Sequence, residues 1–366
     1  MDKKMKYLLI CNSSQNVITF RKSLILHLLE AGNEVVVIAS DNDYRTETEA
    51  LGVTMYVCNA NNRSISIAKT LSYKRSVRQV IKKEKPDVVF TFQVKPNTFG
   101  VFAAKKEKIK TIFCMVEGAG DVFIKNGLKW KIIRFFVCKL YKKAFKSANK
   151  VFFLNNDDKA EFIARKLVKE NQCVVIPGIG VDTKYFAFKP IKNHKTFLMV
   201  ARMLKTKGVL EYCKAARIVK QKYPEAVFNY LGAEGDLKIA DIQEFIDDGS
   251  INYLGTTKDV RPYIEDSLLL LLLSSYREGL PMSIMEAESV GRGIITSNNI
   301  GCKDTVIDGF NGFLIERGDY NAMAEKVIWC IEHPTEAELF GVNSRKLVED
   351  KFDENKVNEG ILKIIS

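Results

Sequence analysis

Short apolar runs alternate with amphipathic segments along the first half of the chain. The runs at Lys6–Cys11 and Glu34–Ala39 are short and continuous, which is typical of strands buried on both faces. Between them, residues 20–29 have helical spacing and end at Ala31-Gly32, a helix stop. The same alternation predicts strands at 53–57, 88–92, 110–115, 150–154 and 173–176, and helices at 67–82, 98–105 and up to about 169. It indicates a parallel sheet covered by helices on both faces.

The pattern breaks at residues 177–180, Pro-Gly-Ile-Gly, and stays irregular and polar to about 195. A second series then predicts strands at 196–201, 226–231, 251–254, 268–273 and 293–296, and helices at 208–222, 237–247, 260–265, 282–290 and onward to the end. We therefore predict an α/β protein with two doubly wound, Rossmann-like domains and a cleft between them. The predicted domains are 1–187 and 188–350, with a C-terminal helix at 351–366 packing back toward the first domain.

The turn after the first strand argues against two common chemistries of such folds. It reads Asn12-Ser13-Ser14-Gln15-Asn16 and contains no glycine. The G-x-G-x-x-G fingerprint, which lets a backbone approach a pyrophosphate closely, is missing there, and no P-loop motif occurs in the sequence. We therefore do not expect a nicotinamide-dependent dehydrogenase or a Walker-type ATPase.

Charge is concentrated in the first half. The net charge is +12, yet residues 1–190 hold 34 basic and 17 acidic residues, and the remainder holds 22 and 27. Such an excess favours an anionic partner: phosphate, nucleic acid or a membrane. No signal peptide or membrane-spanning run is apparent, and the eight cysteines form no C-x-x-C pair. These features predict a cytoplasmic protein with reduced thiols.

The basic segment 125–150 has nine Lys or Arg residues, no acidic residue and many interleaved aromatic and aliphatic residues. Such a segment is typical of an amphipathic helix on a membrane surface. A core-facing helix with a charged outer face is the alternative interpretation. The residues predicted to face the membrane are Lys129, Trp130, Lys131, Arg134, Lys142 and Lys143.

The segment 274–295 places Glu278 after a strand, then Gly-Leu-Pro, then a helix that carries Glu286. Unpaired N–H groups and the positive end of the helix dipole suit a phosphate at the helix start. The two carboxylates are suited to accept hydrogen bonds from sugar hydroxyls. By contrast, Asp41-Asn42-Asp43 lies in an acidic loop that we expect to be solvated and not a metal site.

The E-G-L-P…E arrangement resembles the signature of glycosyltransferase family 4, a family of retaining enzymes of GT-B fold that use nucleotide sugars. Other motifs resemble the same family in order along nearly the whole chain. They are Val200-Ala201-Arg202 with Lys205-Thr206-Lys207-Gly208, Tyr230-Leu231-Gly232, Tyr253-Leu254-Gly255 with Asp259-Val260, Asp308–Leu314 and Pro177–Asp182.

The resemblance implies roles in donor binding. Arg202 and Lys207 would neutralise the leaving diphosphate, Glu278 would hold the donor sugar and Glu286 the ribose hydroxyls. A UDP-sugar is the expected donor, as a substrate, with no metal or other cofactor. The further expected donor contacts are Gly279, Leu280, Pro281, Met282, Asn16 and Thr256.

The loop Met115–Gly120 departs from the wider family. Glu117 stands where many members have histidine, and the V-E-G-x-G loop resembles bacterial N-acetylgalactosaminyltransferases and related enzymes that act on undecaprenyl-diphosphate-linked sugars. We count Glu117 among the catalytic candidates, with an acceptor hydroxyl as its alternative contact and without a role as general base. Lys95 and Arg21 are predicted to contact the acceptor or its diphosphate.

Together with these features, the family resemblance implies a retaining glycosyltransferase on the inner face of the cytoplasmic membrane. It would transfer a hexose or N-acetylhexosamine, with N-acetylgalactosamine favoured, from a UDP-sugar to a polyprenyl-diphosphate-linked saccharide, and would not bind nucleic acid. Two alternatives stay open at this point: a non-hydrolysing UDP-sugar epimerase, and a non-catalytic polyanion-binding protein that uses segment 125–150.

Overall fold

The computed structural model describes residues 4–59, 67–118, 120–124 and 126–366. The chain forms two compact units. Unit 1 comprises the chain up to Ile179 together with Val357–Ser366, and unit 2 comprises Gly180–Lys356. The first unit is therefore discontinuous in sequence.

Unit 1 is a parallel α/β domain. Its strands are β1 Lys6–Ile10, β2 Glu34–Ala39, β3 Thr54–Val57, β4 Val88–Phe92, β5 Thr111–Val116, β6 Lys150–Phe153 and β7 Cys173–Val175. Its helices are α1 Ser14–Glu30, α2 Arg45–Glu49, α3 Ile67–Glu84, α4 Val101–Lys106, α5 Asp121–Ile124, α6 Leu128–Phe145 and α7 Asn156–Ala164. A π-helical turn, Pro96–Gly100, precedes α4, and a 3-10 turn, Glu170–Gln172, precedes β7.

The strand order in unit 1 is β3-β2-β1-β4-β5-β6-β7, and the neighbouring strands pair in parallel. Since β1 has β2 on one side and β4 on the other, the strand order reverses direction there. Ligands of open α/β sheets bind beyond the carboxyl ends of the strands at such a switch point. The loops after β1, β4 and β5 lie at this position.

The last helix of the chain completes unit 1. The buried Tyr7 hydroxyl of β1 donates a hydrogen bond to the Ile365 carbonyl over 3.1 Å. The Asn358 side chain donates to the Ser23 hydroxyl of α1 over 2.8 Å. Ile361 and Ile365 are each 2% exposed, so this helix contributes apolar side chains to the packed interior.

Unit 2 repeats the architecture. Its strands are β8 Thr196–Val200, β9 Val227–Leu231, β10 Asn252–Tyr253, β11 Leu269–Leu272, β12 Gly293–Ser297 and β13 Gly312–Ile315. Its helices are α8 Val209–Lys222, α9 Gln243–Asp247, α10 Arg261–Glu265, α11 Met282–Val290, α12 Tyr320–Glu332 and α13 Pro334–Leu347, and α14 Glu354–Ile365 begins in this unit. The order β10-β9-β8-β11-β12-β13 is again parallel, with its reversal between β8 and β11.

Three elements illustrate where the structure differs from the sequence prediction. Strand β13 lies where only a turn and helices were expected, because its glycine-rich sequence resembles a turn. A Cβ at Gly312 would approach the Ile294 carbonyl oxygen to 1.8 Å, so the close pairing of β13 with β12 depends on glycine. Helix α1 begins at Ser14, six residues early, because its first turn is polar and capped by Ser13. The short, exposed helix α2 lies in the loop expected after β2.

Among the residues that the structure describes, none of the helices combines the length and the apolar composition needed to cross a bilayer.

Candidate active site

In unit 2, two loops meet beyond the carboxyl ends of β8 and β11. Gly208 has φ +76°, and a Cβ there would lie 2.5 Å from the Leu273 carbonyl oxygen, so only glycine allows this approach. The Ser275 and Tyr276 N–H groups both donate to the Thr206 carbonyl, over 2.7 and 3.1 Å. The predicted phosphate-binding loop is therefore fixed against the loop that carries Glu278.

Glu278 and Lys207 form an ion pair at this junction. The Ser274 hydroxyl also donates to the Glu278 carboxylate over 2.8 Å, and the Lys207 ammonium lies 5.7 Å from the centre of the Tyr276 ring. Glu278 is 9% exposed. Lys207 is more accessible, with 20% of its side chain exposed while it holds the carboxylate.

Asn299, which the sequence analysis did not single out, fixes the loop that carries Glu278. The Asn299 amide donates to the carbonyls of Ser274 and Tyr276 over 3.0 and 2.6 Å. Asn299 is buried and follows β12 by two residues. A polar residue just beyond the carboxyl end of a predicted parallel strand was the available signal.

Helix α11 places Glu286 close to the same loop in sequence. No side chain caps its first turn, and this turn holds no acidic residue, so its N–H groups are suited to an anionic ligand. Burial raises the pKa of Glu286 to about 7. The residues leading into the helix, Gly279, Leu280 and Pro281, are buried, and Met282 is partly exposed.

Arg202 and Thr256 are exposed in unit 2. Arg202 follows β8, and within the described part of the chain its guanidinium has no hydrogen-bond or ion-pair partner. Thr256 lies on the loop after β10. Their donor-binding roles stay predictions.

A carboxylate that the sequence did not single out lies deeper in unit 2. Glu288 is fully buried in α11 and accepts a hydrogen bond from the Asn311 amide over 2.9 Å. Its second oxygen, Oε2, has no hydrogen-bond partner among the described residues, and burial raises the pKa of Glu288 well above its usual value. This acid links α11 to the turn before β13.

In unit 1, a second ion pair lies beyond the carboxyl ends of the strands. Arg21 of α1 pairs with Glu117, which follows β5 directly. The Arg21 guanidinium also lies 4.1 Å from the centre of the Phe92 ring and donates to the Phe20 carbonyl over 3.0 Å. Burial lowers the pKa of Arg21 only to about 10, so the guanidinium stays charged at neutral pH.

This burial changes the expected role of Arg21. Only 2% of its side chain is exposed, so it offers no surface to an acceptor diphosphate, which was the predicted contact. Glu117 keeps 16% of its side chain exposed and is the member of the pair that a ligand can reach.

Gln93 joins this cluster. Its amide nitrogen donates to the second Glu117 oxygen, and its amide oxygen accepts from the Asn12 backbone N–H over 3.2 Å. Gln93 follows β4 directly and has φ +67°, a left-handed conformation that is uncommon for a residue other than glycine. The loops after β1, β4 and β5 are thus connected through one side chain.

The turn after Gln93 is rigidly built. The Asn97 N–H donates to the Gln93 carbonyl over 2.9 Å, while its buried side chain accepts from Thr91 and donates to the Met115 carbonyl, both over 2.7 Å. Lys95 lies between them, partly buried, and burial lowers its pKa. Asn16 lies in the first turn of α1. The substrate contacts predicted for Lys95 and Asn16 stay predictions.

Asp41 is not part of a wholly solvated loop. Its carboxylate accepts from the Ser14 hydroxyl and from the Ser14 backbone N–H over 3.0 Å, and Ser14 in turn accepts from the Tyr44 N–H. Asp41 therefore anchors the start of α1, whereas Asn42 and Asp43 are exposed as expected.

Helix α6 occupies most of the basic segment, whose first residue, Lys125, lies outside the described residues. Leu128, Ile132, Phe135 and Phe136 follow helical spacing on one face and are 51% to 75% exposed. Exposed cations border them: Lys129, Lys131, Lys139, Lys142 and Lys143. Trp130 and Arg134 are only partly exposed. The Arg134 guanidinium donates to the Val122 carbonyl over 2.6 Å and so ties α6 to α5.

Each of the two parallel α/β units has charged groups beyond its strand ends, an arrangement suited to anionic ligands. Comparison with protein families identifies the class of enzyme. Residues 20–185 match the glycosyltransferase family 4 model, and residues 181–347 match the model for glycosyl transferases group 1. The chain therefore combines a glycosyltransferase family 4 domain with a glycosyl transferases group 1 domain in a GT-B fold, as its motifs predicted.

Curated relatives carry the same activity in their names. A Campylobacter jejuni N,N'-diacetylbacillosaminyl-diphospho-undecaprenol alpha-1,3-N-acetylgalactosaminyltransferase is 28% identical over 97% of this chain and 96% of its own length. An Escherichia coli UDP-Gal:alpha-D-GlcNAc-diphosphoundecaprenol alpha-1,3-galactosyltransferase is 29% identical over 73% of this chain and 72% of its own. These transferases favour the transferase prediction over the epimerase and polyanion-binding alternatives.

Solved structures confirm the fold. A glycosyltransferase from Rickettsia africae superposes with a TM-score of 0.80 at 19% identity, covering 99% of this chain and 98% of its own. An Anabaena protein in complex with UDP-glucose also gives 0.80, at 16% identity, covering 98% and 99%.

Proposed function

We propose that this protein transfers a hexose or N-acetylhexosamine from a UDP-sugar to a saccharide linked to a polyprenyl diphosphate, at the cytoplasmic face of a membrane. The observation that carries the proposal is the Lys207–Glu278 pair beside the uncapped start of α11. The names of the undecaprenyl-diphosphate-dependent relatives support the acceptor class, and the UDP-glucose complex of a protein with the same fold supports the donor.

On the donor side, the diphosphate would lie near Arg202, Lys207 and the first N–H groups of α11. As the glycosidic bond breaks, negative charge grows on the leaving diphosphate, and fixed cations stabilise it. Because a phosphate competes with Glu278 for Lys207, donor binding would free Glu278 to accept hydroxyls of the sugar. Glu286 would accept hydrogen bonds from the ribose hydroxyls.

On the acceptor side, Glu117 would accept a hydrogen bond from an acceptor hydroxyl. Its charge is balanced by Arg21, so the pair adds little net charge near an acceptor that itself carries a diphosphate. N-acetylgalactosamine is the favoured donor sugar, in keeping with the Campylobacter relative. Both relatives named above are alpha-1,3 transferases, and UDP-hexoses carry an α-linked sugar, which supports transfer with retention.

The α6 surface would bind an anionic lipid bilayer. Its apolar face would enter the headgroup region, and each bordering lysine would contribute about 1 kcal/mol at an anionic surface. This placement would bring unit 1 to the lipid that carries its acceptor. No nucleic acid is involved, and no metal is required because Arg202 and Lys207 supply the positive charge.

Transfer is tested with radiolabelled UDP-N-acetylgalactosamine, UDP-galactose and UDP-glucose, and with farnesyl-diphosphate-linked N-acetylglucosamine as a soluble acceptor. We expect product from one donor and at least a hundredfold loss of kcat in Glu286→Ala and in Glu278→Ala, with UDP binding weakened in the first. Sugar interconversion without acceptor, or full transfer by the folded double variant, would overturn the proposal.

Membrane binding is tested by vesicle flotation. We expect binding to vesicles with 30% phosphatidylglycerol, little binding to pure phosphatidylcholine, and loss of binding in Phe135→Ser/Phe136→Ser. Leu339→Ser/Val342→Ser, which removes two equally exposed apolar residues from α13, is the matched control. Equal binding of both double variants, or salt-stable binding to neutral vesicles, would contradict the membrane role. A concentration-dependent dimer that is lost only in Phe135→Ser/Phe136→Ser would instead assign this surface to contact with a second copy of the chain.

A further inference from the structure

Gln93 stands apart from the other polar residues of unit 1 in its backbone and in its contacts. It is one of four described non-glycine residues with a positive φ, and the other three, Lys85, Lys108 and Lys166, lie in turns after helices. A lysine there terminates a helix, which is a common use of the left-handed conformation. Gln93 instead links a strand to a helical turn, at the edge where ligands of such sheets bind.

The left-handed backbone gives the Gln93 side chain its direction. An unfavourable conformation persists only where the surrounding structure determines it, and such residues cluster at functional sites. Here the Asn97 N–H holds the Gln93 carbonyl, and the Asn97 side chain is fixed between β4 and β5. The turn therefore presents the Gln93 amide beside Glu117 before any substrate arrives.

The two ends of the amide have complementary partners. Its oxygen accepts from the Asn12 N–H, so its nitrogen is the end that donates to Glu117. Arg21 pairs with the other Glu117 oxygen. With one donor on each oxygen, the carboxylate is held in a single orientation and its ionised form is favoured.

We infer that Gln93 is a positioning residue for transfer: it orients the Glu117 carboxylate so that the remaining lone pairs face the acceptor hydroxyl. This inference rests on the acceptor role proposed above for Glu117. It assigns to the loop after β4 a part in acceptor use, and none in donor binding.

The test is a double-mutant cycle between Gln93→Met and Glu117→Gln, measured with the donor and the farnesyl-diphosphate-linked acceptor described above. Methionine keeps the length of the side chain and removes the amide. We expect Gln93→Met to lower kcat at least tenfold, to leave the donor KM within twofold, and to shift the acidic limb of the pH profile to higher pH, because the carboxylate loses a donor. In the Glu117→Gln background the same change should have little further effect.

Gln93→Gly and Lys166→Gly separate the side chain from the backbone. Both remove a left-handed non-glycine residue, and Lys166 is exposed at the end of α7. We expect both variants to unfold cooperatively, Lys166→Gly to transfer within twofold of the wild type, and Gln93→Gly to lose at least tenfold.

A Gln93→Met enzyme with wild-type kcat and pH profile would overturn the inference, as would an equal loss in both backgrounds of the cycle. If the wild type transfers to no acceptor, the proposed function fails separately. A crystal structure of Gln93→Met then decides the inference, since a Glu117 carboxylate in unchanged orientation against Arg21 would refute it.

Discussion

Each unit places one cation–carboxylate pair beyond the carboxyl ends of its strands, and the two pairs differ in how far water reaches the cation. In unit 1, 2% of the Arg21 side chain is exposed, and its guanidinium is enclosed by Phe92, Glu117 and a backbone carbonyl. In unit 2, Lys207 keeps 20% exposure. An enclosed cation can only support its carboxylate, whereas an accessible one can exchange that carboxylate for a ligand. Burial therefore distinguishes a supporting residue from a binding residue.

The largest expected effect is on catalysis at the accessible site. Arg202→Ala should lower kcat by about 10²–10³, the loss typical for removal of one fixed donor to developing charge. Its stability should be unchanged because the side chain is exposed. Lys205→Ala, an exposed cation in the neighbouring 3-10 turn, is the matched control and should retain activity. Equal losses in both variants would mean that general positive charge, and not Arg202, is required.

The two ion pairs should respond differently to removal of the cation. Arg21→Met leaves Glu117 unpaired in a largely buried site and should lower the free energy of unfolding by about 3 kcal/mol. Lys207→Met should cost less, about 1 kcal/mol, because the Lys207 side chain is ten times as exposed as that of Arg21 and water screens its charge. Urea unfolding at pH 7 measures both values. Similar losses would remove the distinction between the two units.

The acids of α11 should make the ligand-free protein less stable as the pH rises. Burial raises the pKa of Glu286 to about 7 and that of Glu288 well above its usual value, so between pH 5 and 8 the folded state retains protons that the unfolded state releases. The stability present below the unfolded pKa of about 4.5 should fall by roughly 2 kcal/mol across this range. Glu288→Gln, which cannot ionise, should flatten the dependence. A stability that rises with pH would contradict these shifts.

The smallest expected effect is that of a chelator. If Arg202 and Lys207 supply the charge that a metal provides in other transferases, 5–10 mM EDTA should leave kcat within about twofold. The assay uses dialysed enzyme, with added Mg²⁺ and Mn²⁺ as the comparison. A tenfold loss that either cation restores would assign part of the charge stabilisation to a metal.

The fold was largely predictable because most of its strands and helices have signals in their own local sequence. The buried strand β2 and the helix α11 have the predicted bounds. A continuous apolar run marks β2, and Gly-Leu-Pro marks the start of α11, so both signals are local. Strand β13 was missed because its strand character comes from pairing with β12, a contact distant in sequence. The exposed helix α2 has no apolar periodicity from which it could be predicted.

The candidate site was predictable where a motif fixes spacing and was not where distant loops meet. The Lys207 and Glu278 positions came from motifs, and the structure brings both into one ion pair. Gln93 contacts Asn12, 81 residues away in sequence, and Glu117, 24 residues away, so these contacts join three separate loops. No local sequence pattern predicts them. The burial of Arg21 could not be predicted from its sequence neighbours either, because the residues that enclose it come from β4 and from the loop after β5.

The return of α14 to unit 1 has a consequence for synthesis on the ribosome. The hydroxyl of Tyr7 in β1 is buried and finds its acceptor only at Ile365, which follows the whole of unit 2 in sequence. Unit 1 therefore cannot complete its packing until α14 has followed unit 2 out of the exit tunnel, while the continuous unit 2 can close earlier. In a nascent chain, the order of folding would therefore run opposite to the order of synthesis.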